Sequence, residues 1–151
     1  AATPEETWAR ANARDLVWAV TRPGVMSDDQ RRRFLSEAVL APIEHLLTDE
    51  RSKNILQKLR TNEPITAADR WAASQAADAA ADAAADAADA APWAAAWAAE
   101  DDAWASAMAA SAAAVAKAED ADASWASWAA AREAQARWLR NNFVLTDLNI
   151  K

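Results

Sequence analysis

Residues 67–91 read AADRWAASQAADAAADAAADAADAA, and this stretch decides the fold. Alanine loses no side-chain entropy on becoming helical, so it is the strongest helix former. The same composition runs on to Arg140. Between Ala67 and Arg140 roughly half the residues are Ala, most of the others are Asp, Ser and Trp at helical spacings, and Gly, Cys and His are absent. Thr66-Ala67-Ala68-Asp69 is a cap signal that opens this region. The spacing predicts a first helix to Ala91, about 37 Å long at ~1.5 Å per residue. Pro92 lacks an N–H and disfavours helix at the residue before it, which predicts a turn or sharp kink at Ala91-Pro92.

Working outward, Trp93, Trp97, Trp104, Met108 and Val115 recur at an eleven-residue period. That period is close to the pitch of a straight helix, so it predicts one continuous stripe on one face. An interruption is expected at Glu119-Asp120-Ala121-Asp122, where acids suit a new helix N-terminus. The last helix carries Trp125, Trp128, Ala131, Gln135, Trp138 and Leu139, with Arg137 and Arg140 at its C-terminal end and Asn141-Asn142 as its stop. The tail Phe143-Val144-Leu145 is apolar enough to dock back on the body.

Upstream, Thr3, Pro4 and Glu6 form a capping-box start. A helix is predicted from there to Arg22-Pro23-Gly24, with Ala13, Leu16, Val17 and Val20 on its apolar face. Ser27-Asp28-Asp29-Gln30 starts a second helix carrying Phe34, Leu35, Ala38 and Val39, which Pro42 breaks or kinks before Ile43, Leu46 and Leu47. Thr48-Asp49-Glu50 opens a third element with Ile55, Leu56 and Leu59 inward, closed by Asn62-Glu63-Pro64. No hairpin signal appears, and Gly24 is the only glycine. The expectation is an all-α, multi-helix bundle of antiparallel helices with close Ala packing and Trp fillers. Residues 1–151 form a single domain in this reading: a mixed-charge part (1–66), the Ala/Trp/Asp-rich helices (67–140) and a tail (141–151).

The nine Trp hold much of the large apolar mass. Each sequestered indole contributes up to about 4–6 kcal/mol at ~25 cal/mol per Å². Trp is therefore expected to be the bulk of the core in the second half, with Trp104 and Trp128 mostly buried and Trp104→Ala costing about 3–5 kcal/mol.

Charge is uneven. Residues 1–66 carry ten basic and ten acidic side chains, 67–140 carry five and twelve, and the tail balances, so the formal −7 lies in the Ala-rich part. Between Trp71 and Ala116 there are seven carboxylates and no cation. Direct nucleic-acid binding through that half is disfavoured, since phosphate contact needs Lys and Arg. A basic protein partner is the electrostatic complement. The Asp residues also interrupt any membrane span. With no Cys and no leader motif, a cytoplasmic location is expected.

Candidate sites follow from the same pattern. Asp78, Asp82, Asp86 and Asp89 lie at i, i+4, i+8 and i+11 on one helix face. Like charges at i,i+4 cost a few tenths of a kcal/mol per pair, about what a docking surface for a basic partner would offset. The bland alternative is a solvated face that keeps the helix soluble; Arg31, Arg32 and Arg33 of the same chain are another possible partner. Trp93 and Trp97, next to Glu100-Asp101-Asp102, are the best candidates for an aromatic interface patch. One helix face spreads its carboxylates too widely to hold a metal ion. His45 has no clustered Ser, Cys or second His, and no Gly-rich loop cradles a phosphate, so neither catalysis nor a cofactor is expected.

The run Leu46-Leu47-Thr48-Asp49-Glu50-Arg51-Ser52, a short helix and then the Trp- and Asp-punctuated alanine array resemble Ala-rich helical immunity-type proteins of bacteria and phages. The resemblance covers about residues 43–140. It implies a non-enzymatic binding protein that neutralises a toxin, although Asp here replaces the His and Arg often interspersed in such arrays. Three functions compete: an acidic inhibitor that occludes a basic partner surface (a toxin or defence protein), a phage counter-defence protein (DNA mimic or small-molecule sponge), and an assembly module packing through Ala/Trp faces, homo-oligomers included.

Overall fold

The structure, a computed structural model, describes residues 3–83, 90–117 and 120–149; for 82, 83, 116, 117 and 121 it describes the backbone alone. Among the described residues its only regular structure is helical, with no strand: α1 (Pro4–Arg10), α2 (Ala13–Val20), α3 (Asp28–Arg33), α4 (Glu50–Thr61), α5 (Ala67–Ala83), α6 (Ala90–Ala99), α7 (Ala103–Ala113) and α8 (Ala121–Asn142). Between α3 and α4 the chain stays helical, as a π-helix Phe34–Leu40 and then a 3-10 helix Ala41–Leu46.

The caps are where the sequence puts them. Thr3 accepts from the Glu6 N–H at 3.1 Å, and Ser27 and Gln30 form a complete capping box. Asp49 caps α4, and Asn62 ends it in the left-handed region at φ 58°. Thr66 and Asp69 exchange reciprocal bonds at 3.1 and 2.8 Å, opening α5.

Three expectations about helix boundaries need correction. The first predicted helix is two: Asn12 leaves the helix and caps α2 by accepting from the Asp15 N–H at 2.8 Å. Arg140 ties the junction to α8 by donating to the carbonyls of Trp8 and Ala11. Pro42 does interrupt the second helix, by changing its winding from the π-helix Phe34–Leu40 to the 3-10 helix Ala41–Leu46. Its missing N–H is absorbed by the change of winding, the Ala41 N–H reaching back five residues to the Ser36 carbonyl. Ala91 and Pro92 both lie in α6, so the chain does not break between them. The expected helix end at Ala91 is thus an interior position of α6, and residues 84–89 lie outside the described residues. The stripe from Trp93 to Val115 is not on one helix, because α6 stops at Ala99. Asp120 does cap α8, accepting from the Ala123 N–H at 2.8 Å, while Glu119 lies outside the described residues.

The core is one cluster running from Ala13 to Leu148. The first half and the chain's end supply its large side chains, including Leu16, Val17, Phe34, Leu35, Leu40, Ile55, Leu56, Leu139 and Phe143. The Ala-rich helices supply flat faces: Ala73 and Ala77 of α5, Ala94, Ala95 and Ala98 of α6, and Ala107 and Ala113 of α7 are fully buried. The α6 and α7 backbones lie close enough for Ser106 Oγ to donate to the Ala94 carbonyl at 2.7 Å.

Trp is therefore not the core of the second half. None of the nine indoles is fully buried: Trp71 is 67% and Trp125 68% exposed, while Trp104 and Trp128 are mostly buried, as expected, without joining the fully buried core. Methyl-sized faces bring the helices too near for an indole to fit between them, so the rings lie along the seams. Trp138 shows this, edge-on to Phe143 at 5.3 Å and against Phe34 at 5.9 Å. The tail docks as expected, with Phe143 and Leu148 buried and Asn149 donating to the Val25 carbonyl at 2.9 Å.

Candidate functional site

The turn from α6 to α7 brings five of the expected site residues together. At the end of α6 the Asp101 N–H donates to the Ala98 carbonyl at 3.2 Å and the Asp102 N–H to the Trp97 carbonyl at 3.0 Å. This pair of bonds is a Schellman motif, and Asp101 occupies its left-handed position at φ 61°. Asp is among the few side chains that tolerate that region. Asp102 then caps α7, accepting from the Ala105 N–H at 3.0 Å. The turn thus fixes Glu100, Asp101 and Asp102 at the surface, all three exposed. One turn upstream, Trp97 is 39% exposed and its ring lies 6.0 Å from that of the half-buried Trp93. The outcome is an indole pair flanked by three carboxylates on a hydrogen-bonded frame.

Across from this turn lies the Val20–Gly24 segment, with a groove of about 540 Å³ between them. Arg31 lines the groove and places Nε 3.5 Å from Asp101 Oδ1, while its Nη2 holds Asp28 at 2.6 Å. Arg22 lies over the Trp18 ring at 4.3 Å. Among the described residues no ion pair involves Glu100 or Asp102, so one of the three carboxylates is matched internally and two are not.

Asp78 is exposed on α5, seven residues from the exposed Trp71 and hence on the same face. Asp82 is on α5 with its side chain outside the described residues, and Asp86 and Asp89 lie outside them altogether. Asp78 has no ion-pair partner among the described residues. Arg31, Arg32 and Arg33 are engaged elsewhere: Arg32 with Asp28 and the Glu63 carbonyl, Arg33 with Glu37 and Asn142.

Among the described residues, the one strongly shifted carboxyl lies at a structural joint. Asp69 accepts from Lys58 Nζ at 2.6 Å, Thr66 N at 2.8 Å and Asn54 Nδ2 at 3.0 Å, which holds it well below the usual carboxylate range. Asp49 and Glu44 are also lowered, by Arg51 and Arg60 respectively. His45 is exposed at the edge of an alanine-lined cleft of about 370 Å³. Among the described residues no three His, Asp or Glu converge as a metal site would require.

Two features escaped the sequence reading. The approach of Arg31 to Asp101 joins positions 70 residues apart, and no local pattern signals it. Arg132 is buried against Trp104 and Trp128 although its helix pattern gave it no distinct place. Compared with known protein families, curated proteins and solved structures, the chain matches none.

Proposed function

We propose that this chain is a non-enzymatic binding protein of the immunity or inhibitor type, occluding a basic surface of a protein partner. The observation that carries the reading is the α6–α7 turn, where the exposed indole of Trp97 stands beside three carboxylates on a fixed backbone. Interfaces use a Trp as an anchor that loses little conformational freedom on burial, and rim charges to steer and align the approach. A Lys or Arg side chain of the partner enters the groove beside Glu100 and Asp102, while Trp97, one turn upstream, meets an apolar side chain of the partner next to it. Trp71 and Asp78 repeat the pairing of indole and carboxylate on an exposed face of α5. A cytoplasmic setting and a toxin or defence protein as partner belong to the same proposal. Among the described residues no helix is long and apolar enough to cross a membrane, which agrees with a partner met in water.

Selection of displayed random peptides on the immobilised protein tests the reading. Peptides with two or more Lys or Arg around an apolar residue should be enriched, and Trp97→Ala and the Glu100→Gln/Asp102→Asn pair should each lose them. Enrichment of neutral or acidic peptides, or of basic ones that both variants retain, would overturn it.

A further inference from the structure

Arg132 is a buried cation without a counter-ion among the described residues. It is 4% exposed, in a chain with 23 carboxylates, yet no ion pair to it exists among the described residues. Its guanidinium lies over the Trp128 ring at 4.7 Å and the Trp104 ring at 5.3 Å. Nη1 donates to Met108 Sδ at 2.7 Å, a weak acceptor. Nε and Nη2 are buried with no hydrogen-bond partner.

These two nitrogens are not scattered orphans. Together they form one edge of the guanidinium, with two parallel N–H bonds that match the two oxygens of an oxyanion. The same edge of Arg51 holds Asp49 bidentately in this protein, at 3.0 and 2.8 Å. Arg14 adds a second positive charge close enough to oppose the charged form of Arg132, which burial already disfavours. Two like charges brought together, one of them buried and half-satisfied, are unfavourable for folding alone. A bound anion would satisfy both.

Arg132 and Arg14 line a common groove of about 330 Å³ between α2 and α8. Its other walls include Asn12, Trp125, Trp128 and Glu133. Trp125 stacks on Trp128 with centroids 5.2 Å apart, leaving the outer face of a largely exposed indole free. A flat ring fits against that face, and Asn12 offers an amide beside it. Glu133 repels a second negative charge, so a compact anion is favoured over an extended acidic surface. We propose that this groove binds a small aromatic oxyanion, its phosphate or carboxylate on the free edge of Arg132 and beside Arg14, its ring on Trp125. The Arg132 edge is closed to solvent, so side chains lining the groove must shift to admit the oxyanion, while Trp125 stays as the stacking face. This site is independent of the acidic α6–α7 surface.

Titrations of the whole protein with adenosine 5′-monophosphate, benzoate, inorganic phosphate and adenosine, read by tryptophan fluorescence and calorimetry, test the proposal. Either ring-bearing anion should bind with one-site saturation, about tenfold or more tighter than inorganic phosphate, because base–aromatic stacking adds to the ion pair. Adenosine, which has the ring without the anion, should not bind. Whichever of the two anions binds tighter assigns the group as phosphate or carboxylate. Arg132→Met should weaken that ligand at least ~30-fold and Arg14→Gln about tenfold, as losing charge-assisted bonds does. Trp125→Ala should bring its affinity down to that of inorganic phosphate. Circular dichroism shows whether each variant is folded, and Arg14→Gln, at an exposed position, serves if Arg132→Met is not. No saturable binding of either anion at ~10 mM, far above useful affinity, would overturn the proposal. So would binding that Arg132→Met and Arg14→Gln leave unchanged.

Discussion

Asp69→Asn tests how the alanine-rich half is fastened to the rest. The carboxylate sits on α5 in the first turn and takes three donors: Lys58 and Asn54 of α4, and the backbone N–H of Thr66. Its side chain is 15% and that of Lys58 21% exposed, so the pair is screened only in part. The amide keeps the shape and one carbonyl oxygen but loses the charge. A hydrogen bond to a charged partner is worth about 1.5–3 kcal/mol and a helix cap about 1. With part of each retained by the amide oxygen, the expected loss at neutral pH is about 2–3 kcal/mol. The pH dependence gives a sharper check. The folded carboxyl is depressed below its unfolded value of about 3.9, so its contribution is complete well above that value. It is lost as pH falls through that value toward the folded one. Urea unfolding followed by tryptophan fluorescence should therefore show a full gap between wild type and variant at pH 7, shrinking below about pH 5. A gap under about 0.5 kcal/mol at pH 7, or one that stays constant down to pH 3, would refute the reasoning.

Arg132→Met should stabilise the protein by about 1–3 kcal/mol in the same unfolding assay: two orphaned donors cost about 1–3 kcal/mol each, against two cation–π contacts of about 0.5–1 each. Destabilisation by more than about 1 kcal/mol would mean the guanidinium is matched in solution. Ala107→Leu should cost about 1–3 kcal/mol or more, because that methyl is fully buried where α7 meets its neighbours. Trp125→Ala should shift stability by no more than about 0.5 kcal/mol, since the indole is mostly exposed. The reverse order of these two effects in thermal unfolding would restore Trp as the core of the second half.

Much of the fold was legible because local signals agreed with one another. Ser27 with Gln30 and Thr66 with Asp69 start helices where their side chains can reciprocate, and alanine leaves no competing conformation. The breaks at Asn12 and at Glu100–Asp102 were missed for a common reason: neither contains Gly or Pro. Both rest on Asn or Asp capping an N–H three residues ahead, at Asp15 and Ala105, a signal present in the sequence but outweighed by the apolar spacing of the first helix in one case and by the period from Trp93 to Val115 in the other. The packing role of Trp was misjudged because burial depends on the distance between helices, which their smallest residues set. Of the candidate site, the neighbourhood of Trp97 and Glu100–Asp102 was legible since the five residues are close in sequence. The match of Arg31 to Asp101 and the isolation of Arg132 arise from tertiary packing, which no spacing encodes.

In the proposed function the acidic turn steers a basic partner and Trp97 anchors it. Association kinetics of a Lys/Arg-containing peptide, selected as above, test this most directly. Rim charges act on association and a buried anchor acts on dissociation. The association rate should fall as salt rises from about 0.05 to 0.5 M, and Glu100→Gln/Asp102→Asn should lower it and flatten that dependence. Trp97→Ala should leave association nearly unchanged and speed dissociation about tenfold or more. Association insensitive both to salt and to the double substitution, with dissociation unaltered by Trp97→Ala, would contradict the claim.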